Sequence, residues 1–183
     1  MSVYYLVSQL PSLDGVSEST PLPITEECFR DLCHRFLSKE ALYEIEHLTL
    51  VPSVELQKSS SALIQAWNSS ERDLRLALGK ARADKMNKPF DLHNRSLTAE
   101  LSKTANTAAE SENPLEAEKF LFDYRLRILE ILRPTDTFSD DFVFYYALKL
   151  KLLERARRFD TEIGQTVYKN IYNSILNGEN LEA

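Results

Sequence analysis

The chain has 183 residues, enough to bury a core in one domain or two small ones without disulfide or metal staples. Acidic residues outnumber basic ones 28 to 22, a formal charge of −6, which argues against a nucleic-acid binder, since that class needs surplus basic charge to displace counterions. With four glycines and neither G-x-G-x-x-G nor G-x-x-x-x-G-K-[ST], the common phosphate loops are missing, and the wealth of Leu, Glu, Lys and Ala predicts an all-α protein.

Residues 2–10, SVYYLVSQL, fit a strand or a short helix equally well, and Pro11 stops either. Residues 11–23 carry the Pro, Gly, Ser and Asp of a loop. Thr25 is placed to cap a helix over about 25–36, with Glu26 and Glu27 in its first turn and Cys28, Phe29, Leu32, Cys33 and Phe36 as its inner face. Ser38 caps a second helix over about 39–48, with Leu42, Ile45 and Leu48 inward, and Pro52 closes the pair. A third helix runs from about Ser60 to Met86, with a buried stripe of Leu63, Trp67, Leu74, Leu78 and Ala81 and with Arg72, Arg75 and Arg82 pointing away. Gly79 costs about 1 kcal/mol relative to Ala inside a helix, and close approach of another backbone is a reason to keep it.

Residues 87–113 are polar and poorly periodic, bounded by Pro89 and by Asn113-Pro114. LTAELSKTA within them suits a short helix, but the segment as a whole reads as a mobile connection between an N-terminal helical part, 1–86, and a C-terminal long helical hairpin, 114–183. Pro114 fits the first turn of a helix, where its missing N–H costs nothing. That helix carries Leu121, Phe122, Leu126, Leu129 and Leu132 on a broad apolar face and ends at Pro134. After the short TDTF turn comes the element that organises the chain, Ser139 to Asn177. Tyr145, Leu148, Leu152, Ala156, Phe159, Ile163, Val167, Ile171 and Ile175 recur there at steps of three or four. Ser139 is a good N-cap, Asp140 and Asp141 suit the first turn, and Gly178 suits the left-handed residue that ends a helix. Unbroken, the rod would be about 58 Å long, so either it projects or it breaks near Asp160–Gly164, with Asp160 or Thr161 capping a second helix. Two long helices joined so briefly lie antiparallel. The aromatic run Phe142, Phe144, Tyr145, Tyr146 covers every side of its helix, which places it at the centre of the fold or in an interface, with the centre preferred.

Few residues suggest chemistry. Cys28 and Cys33, five apart on one helix, suit neither a disulfide nor a shared metal and are expected to be buried free thiols. His34, His47 and His93 fall in no metal-ligand spacing and are expected at the surface or at caps. No G-x-S-x-G occurs. No apolar run reaches the ~18 residues of a membrane span, and the N-terminal apolar stretch is too short for a signal peptide, so a cytoplasmic protein is expected. Arg72, Arg75, Lys80, Arg82 and Lys85 form a basic strip, and Lys149, Lys151, Arg155, Arg157 and Arg158 a second one. Each is either a solvated helix face paired with local acids or a surface for an acidic protein partner, for which Arg72, Arg75, Arg82, Arg155 and Arg158 are the candidates. Were the chain an enzyme, Tyr145, Arg155 and Glu118 on facing helices would be the group to test. No cofactor or metal is implied.

Three stretches, YYLVSQLPSL, WNSSERDLRLALGKARA and ENPLEAEKFLFDYRLRILEIL, together resemble an uncharacterised bacterial family encoded among the genes of V-type ATPases. Asp73, Leu74, Arg75, Arg82 and Ala83 also resemble a signature helix of the d-type rotor cap of V/A-type ATPases, the funnel-shaped helical subunit that links the rotor ring to the central shaft, although that protein often has Asn where Asp73 stands. The chain is much shorter than a full rotor cap. The resemblance implies a bundle of about five to seven helices like part of the rotor-cap fold. It also implies a non-catalytic subunit or assembly factor that binds other ATPase subunits of the central stalk or rotor ring, peripheral to the inner membrane through its partners. The alternative is a stand-alone helical adaptor in another complex.

Overall fold

The computed structural model describes residues 3–16, 20–52, 59–92, 95–158 and 161–179, without the side chains of 161–164, 167 and 176–179. Among the described residues the protein is all-helical: α1 (Val3–Val7), α2 (Glu26–Phe36), α3 (Lys39–His47), α4 (Ala62–Lys85), α5 (Ala99–Glu110), α6 (Pro114–Ile131), α7 (Asp140–Arg157) and α8 (Thr161–Glu179). This exceeds the five to seven expected, because the N-terminal stretch resolves as a helix and the long C-terminal element is two. The starts follow from capping. Thr25, Ser38, Ser61, Thr98, Asn113 and Ser139 each accept a hydrogen bond from a first-turn N–H, an interaction whose loss costs about 1 kcal/mol. The Ser61 hydroxyl also donates to Asp141 Oδ1 at 2.6 Å, pinning the start of α4 to the start of α7.

α7 is the centre. Residues 143–150 are buried without interruption, as the aromatic run required. Around α7 pack Leu6 of α1, Phe29 and Cys33 of α2, Ile45 of α3, Trp67 of α4 and Leu129 of α6. α6 and α7 are antiparallel: Glu130 meets Tyr145 while Glu118 meets Arg155. A second core joins the later half of α4, through Leu74, Ala77, Leu78 and Ala81, to Leu101, Ala105 and Ala108 of α5 and Leu121 of α6. The segment read as a loose connection therefore contains a packed helix, and α4 and α6 belong to both cores. The short helix read over 97–105 is α5, longer and packed: its inner face is Leu101 with Thr104, Ala105 and Ala108, of which only Leu101 is large, so the pattern suggested a helix without showing that it is buried.

Other expectations need correction. Gly79 makes room for a side chain, not a backbone: a Cβ there would sit 2.7 Å from Phe90 Cζ. Both cysteines are free, but Cys28 is exposed and only Cys33 is buried, its thiol pushed up to about 12 by desolvation. α7 ends at Arg157 and α8 begins at Thr161, so the rod is broken; α8 then runs through Gly178 to Glu179 rather than ending before it. The apolar stripe divides with the rod. Tyr145, Leu148, Leu152 and Ala156 are buried, whereas Ile171 and Ile175 are exposed; Phe159 and the side chains of Ile163 and Val167 lie outside the described residues.

Candidate functional site

The charges cluster in three places, two of them inside the body. On α4, Glu71 is 3% exposed. Arg125 of α6 donates to it through Nε and Nη2, both at 3.0 Å, and Arg75 donates through Nε at 3.1 Å. A carboxylate this buried is costly to leave without such a fork of donors. Arg75, still exposed, is thus paired with a local acid, one of the two readings of the basic strip, and that acid is buried.

The second cluster gathers on α7 around Lys149, whose side chain is 9% exposed, where the basic strip predicts a solvated position. Its Nζ donates at 2.7 Å to Asp14 and at 2.7 Å to Glu130, and lies 3.3 Å from Tyr145 Oη. The Tyr145 hydroxyl donates to Glu130 at 2.7 Å, and the neighbouring Tyr146 hydroxyl donates to the Pro11 carbonyl at 2.9 Å. Burial works against the Lys149 charge, but the two carboxylates outweigh it and hold the ammonium above the ordinary lysine range. Burial and the Glu130 acceptor push the Tyr145 phenol up to about 12. At neutral pH the lysine is a cation and the tyrosine a neutral donor, so neither is an available nucleophile or base. The arrangement instead ties the segment 11–14 to α7. Tyr145, Arg155 and Glu118 do not converge: Arg155 pairs with Glu118 at 3.1 Å, and Tyr145 lies ten residues up the same helix, about 15 Å along its axis.

The third cluster opens to solvent. A groove of about 260 Å³ lies where α2 begins and α3 leaves, lined by Leu48, Leu50, Lys151, Glu154, Arg155 and Arg158. Lys151 pairs with Glu26 and Arg155 with Glu118, while exposed Arg158 makes no ion pair with a described residue. The Glu26 N–H donates to Glu154 Oε1 at 3.2 Å, so Glu154 caps the start of α2. Burial, with the Glu26 charge beside it, holds Glu154 above the usual carboxylate range; Lys151 holds Glu26 below it. A wider groove of about 680 Å³ separates α5 from α6, crossed by the Glu100–Arg127 pair, with Arg127 lying over the Tyr124 ring.

Of the five predicted partner-binding arginines, Arg155 and Arg158 come together in the first groove. Arg75 is used internally, Arg72 is half-buried, and Arg82 is exposed. Lys80 pairs with Asp84, and Lys85 donates to the Ala109 carbonyl, so much of the α4 strip is matched locally. His34 and His47 are exposed, the first beside Glu46 and the second against the Tyr43 carbonyl; His93 lies outside the described residues. Among the described residues no group of three metal-ligating side chains converges, and no helix is long and apolar enough to cross a membrane. Set against family models, curated proteins and solved structures, the chain matches none of them.

Proposed function

We propose that this chain is a non-catalytic subunit or assembly and coupling factor of a bacterial V/A-type ATP synthase, binding other subunits through helical surfaces. The observation that carries the binding role is the groove beside α7. Its apolar floor, Leu48 and Leu50, and the guanidinium of Arg158 at its rim, unpaired among the described residues, suit a segment of a partner that is both apolar and acidic. On a chain of net charge −6, a groove lined by three cations and two carboxylates, Glu26 and Glu154, favours a defined orientation over general attraction. The ATPase assignment rests on the resemblance of the three stretches. Trp67, Leu74 and Ala83 within them are buried, whereas Arg75 and Arg82 are exposed, so the likeness includes residues that make the fold as well as surface charges. That point equally serves the alternative, a stand-alone adaptor using the same groove in another complex.

The test is co-purification of tagged chain from a host that carries the operon. V/A-type ATPase subunits should appear, and a double substitution Arg82→Glu/Arg158→Glu should lower their capture about tenfold. Both side chains are exposed, so the melting temperature should move by no more than about 2 °C. Undiminished capture by the variant removes the groove from the account; capture of unrelated proteins only removes the ATPase. Reversal at Arg75 is a poor probe, since it would set a second carboxylate against buried Glu71.

A further inference from the structure

α8 differs from every other long helix here in what it exposes. Tyr168, Ile171, Tyr172 and Ile175 are 68%, 54%, 52% and 59% exposed. They stand at i, i+3, i+4 and i+7, one continuous face, and Tyr168 stacks on Tyr172 with centroids 6.1 Å apart. Four large apolar side chains in a row on a helix mark a surface that is covered in use.

We propose that what covers it is the α8 of a second copy of this chain, running antiparallel. Charge is the first argument. In nineteen residues α8 carries only Glu162, Lys169 and Glu179, so it offers nothing for a strongly charged partner or an anionic lipid surface to recognise, whereas a face equally apolar and equally uncharged is matched by itself. The spacing is the second. The positions 168, 171, 172 and 175 read the same from either end, so an antiparallel copy sets Tyr168 against Ile175 and Ile171 against Tyr172, a large ring over a branched aliphatic at every level. A parallel pairing would instead stack ring on ring and Ile on Ile. In the antiparallel arrangement Lys169 falls beside Asn173 of the second copy, so the middle of the pairing brings no like charges together; at each end Glu179 falls two residues from the level of Glu162. The four side chains cover only about 11 Å of a helix about 28 Å long, a smaller contact than a standard interface of about 1,200–2,000 Å², so the dimer is a weak one, in the micromolar range. This association is separate from the groove beside α7 and leaves that surface open.

Sedimentation velocity on the full chain between about 1 and 100 µM tests it. Dimer should rise with concentration, and raising salt from about 0.05 to 0.5 M should leave it intact, since no ion pair holds it. Ile171→Glu/Ile175→Glu should weaken the association at least 100-fold with circular dichroism and melting of the body unchanged. Chains carrying Tyr168→Cys and chains carrying Ile175→Cys, each with Cys28→Ser, should on mixing give the mixed disulfide over either homodisulfide. A monomer at 100 µM, a dimer insensitive to the Glu pair, dissociation by salt, or predominant homodisulfides would each overturn the proposal. So would a chain that stays monomeric while its α8 face captures a different protein.

Discussion

Glu71, Arg125 and Lys149 are charged residues sitting in register with apolar stripes. Glu71 lies four residues after Trp67 and three before Leu74, Arg125 four from both Leu121 and Leu129, and Lys149 inside the run 143–150. That register could have marked them as core groups, although Lys149 and its basic neighbours read as a solvated strip; the long-range partners, 54 and 135 residues away, were not legible, because nothing local encodes such a pairing. Removing one side of the Glu71–Arg125 pair strands a charge in the interior. Glu71→Gln or Arg125→Met should therefore cost about 3–5 kcal/mol in urea unfolding, whereas Glu71→Leu/Arg125→Met should recover most of the loss. An unaltered midpoint in the single variants would show that the pair is not buried as described. The Lys149 cluster predicts a pH response. The Lys149 hydrogen bond holds Asp14 below its ordinary value, and at Glu130 the bonds from Lys149 and Tyr145 override burial with the same result. Both carboxylates therefore contribute stability that is present above the ordinary carboxylate range, near pH 4, and is lost as pH falls through the lowered values. Lys149, shifted upward, contributes stability present below about pH 10 and lost above it. Lys149→Met should flatten the acid limb of the stability curve relative to the parent, measured by denaturant midpoints from pH 7 to 3; parallel curves would exclude the linkage.

Helix starts were legible at several Ser and Thr caps: the observed N-caps at Thr25, Ser38 and Ser139 sit where local chemistry put them, whereas Thr98, the cap of α5, went unread. Helix ends and partners were less so. α5 was legible as a short helix but not as a packed one, because beside Leu101 its inner residues Thr104, Ala105 and Ala108 bury little surface each. Gly79 shows the same limit: its place in α4 was plain, but the ring it admits comes from Phe90, beyond the end of the helix. Replacing Gly79 by Ala gains about 1 kcal/mol of helix propensity and displaces a ring that is 40% exposed and free to swing. The two effects should nearly cancel. In a Phe90→Ala background the same substitution should stabilise by the full ~1 kcal/mol, a double-mutant cycle resolved by thermal unfolding. Equal effects in both backgrounds would mean that the ring does not rest on Gly79.

For the whole molecule, the all-α class followed from composition, and periodicity left the aromatic run the centre of the fold or an interface, of which the centre holds. The division into an N-terminal part, a connection and a C-terminal hairpin followed sequence order, whereas the two cores do not: α4 and α6 thread both. The surfaces that a partner would use were the least legible. Arg155 and Arg158 were named from charge alone, and the floor beneath them, Leu48 and Leu50, comes from a segment about a hundred residues earlier.

The tie between Asp14 and Lys149 spans 135 residues of chain. A ribosome adding about 5–20 residues per second releases α1 to α3 on the order of ten seconds before the helix they pack upon. During synthesis Leu6, Phe29 and Ile45 therefore wait for α7, and the first core closes only once α7 has been made. Holding chaperones should engage nascent chains that stop before α7 and let go of those that include it.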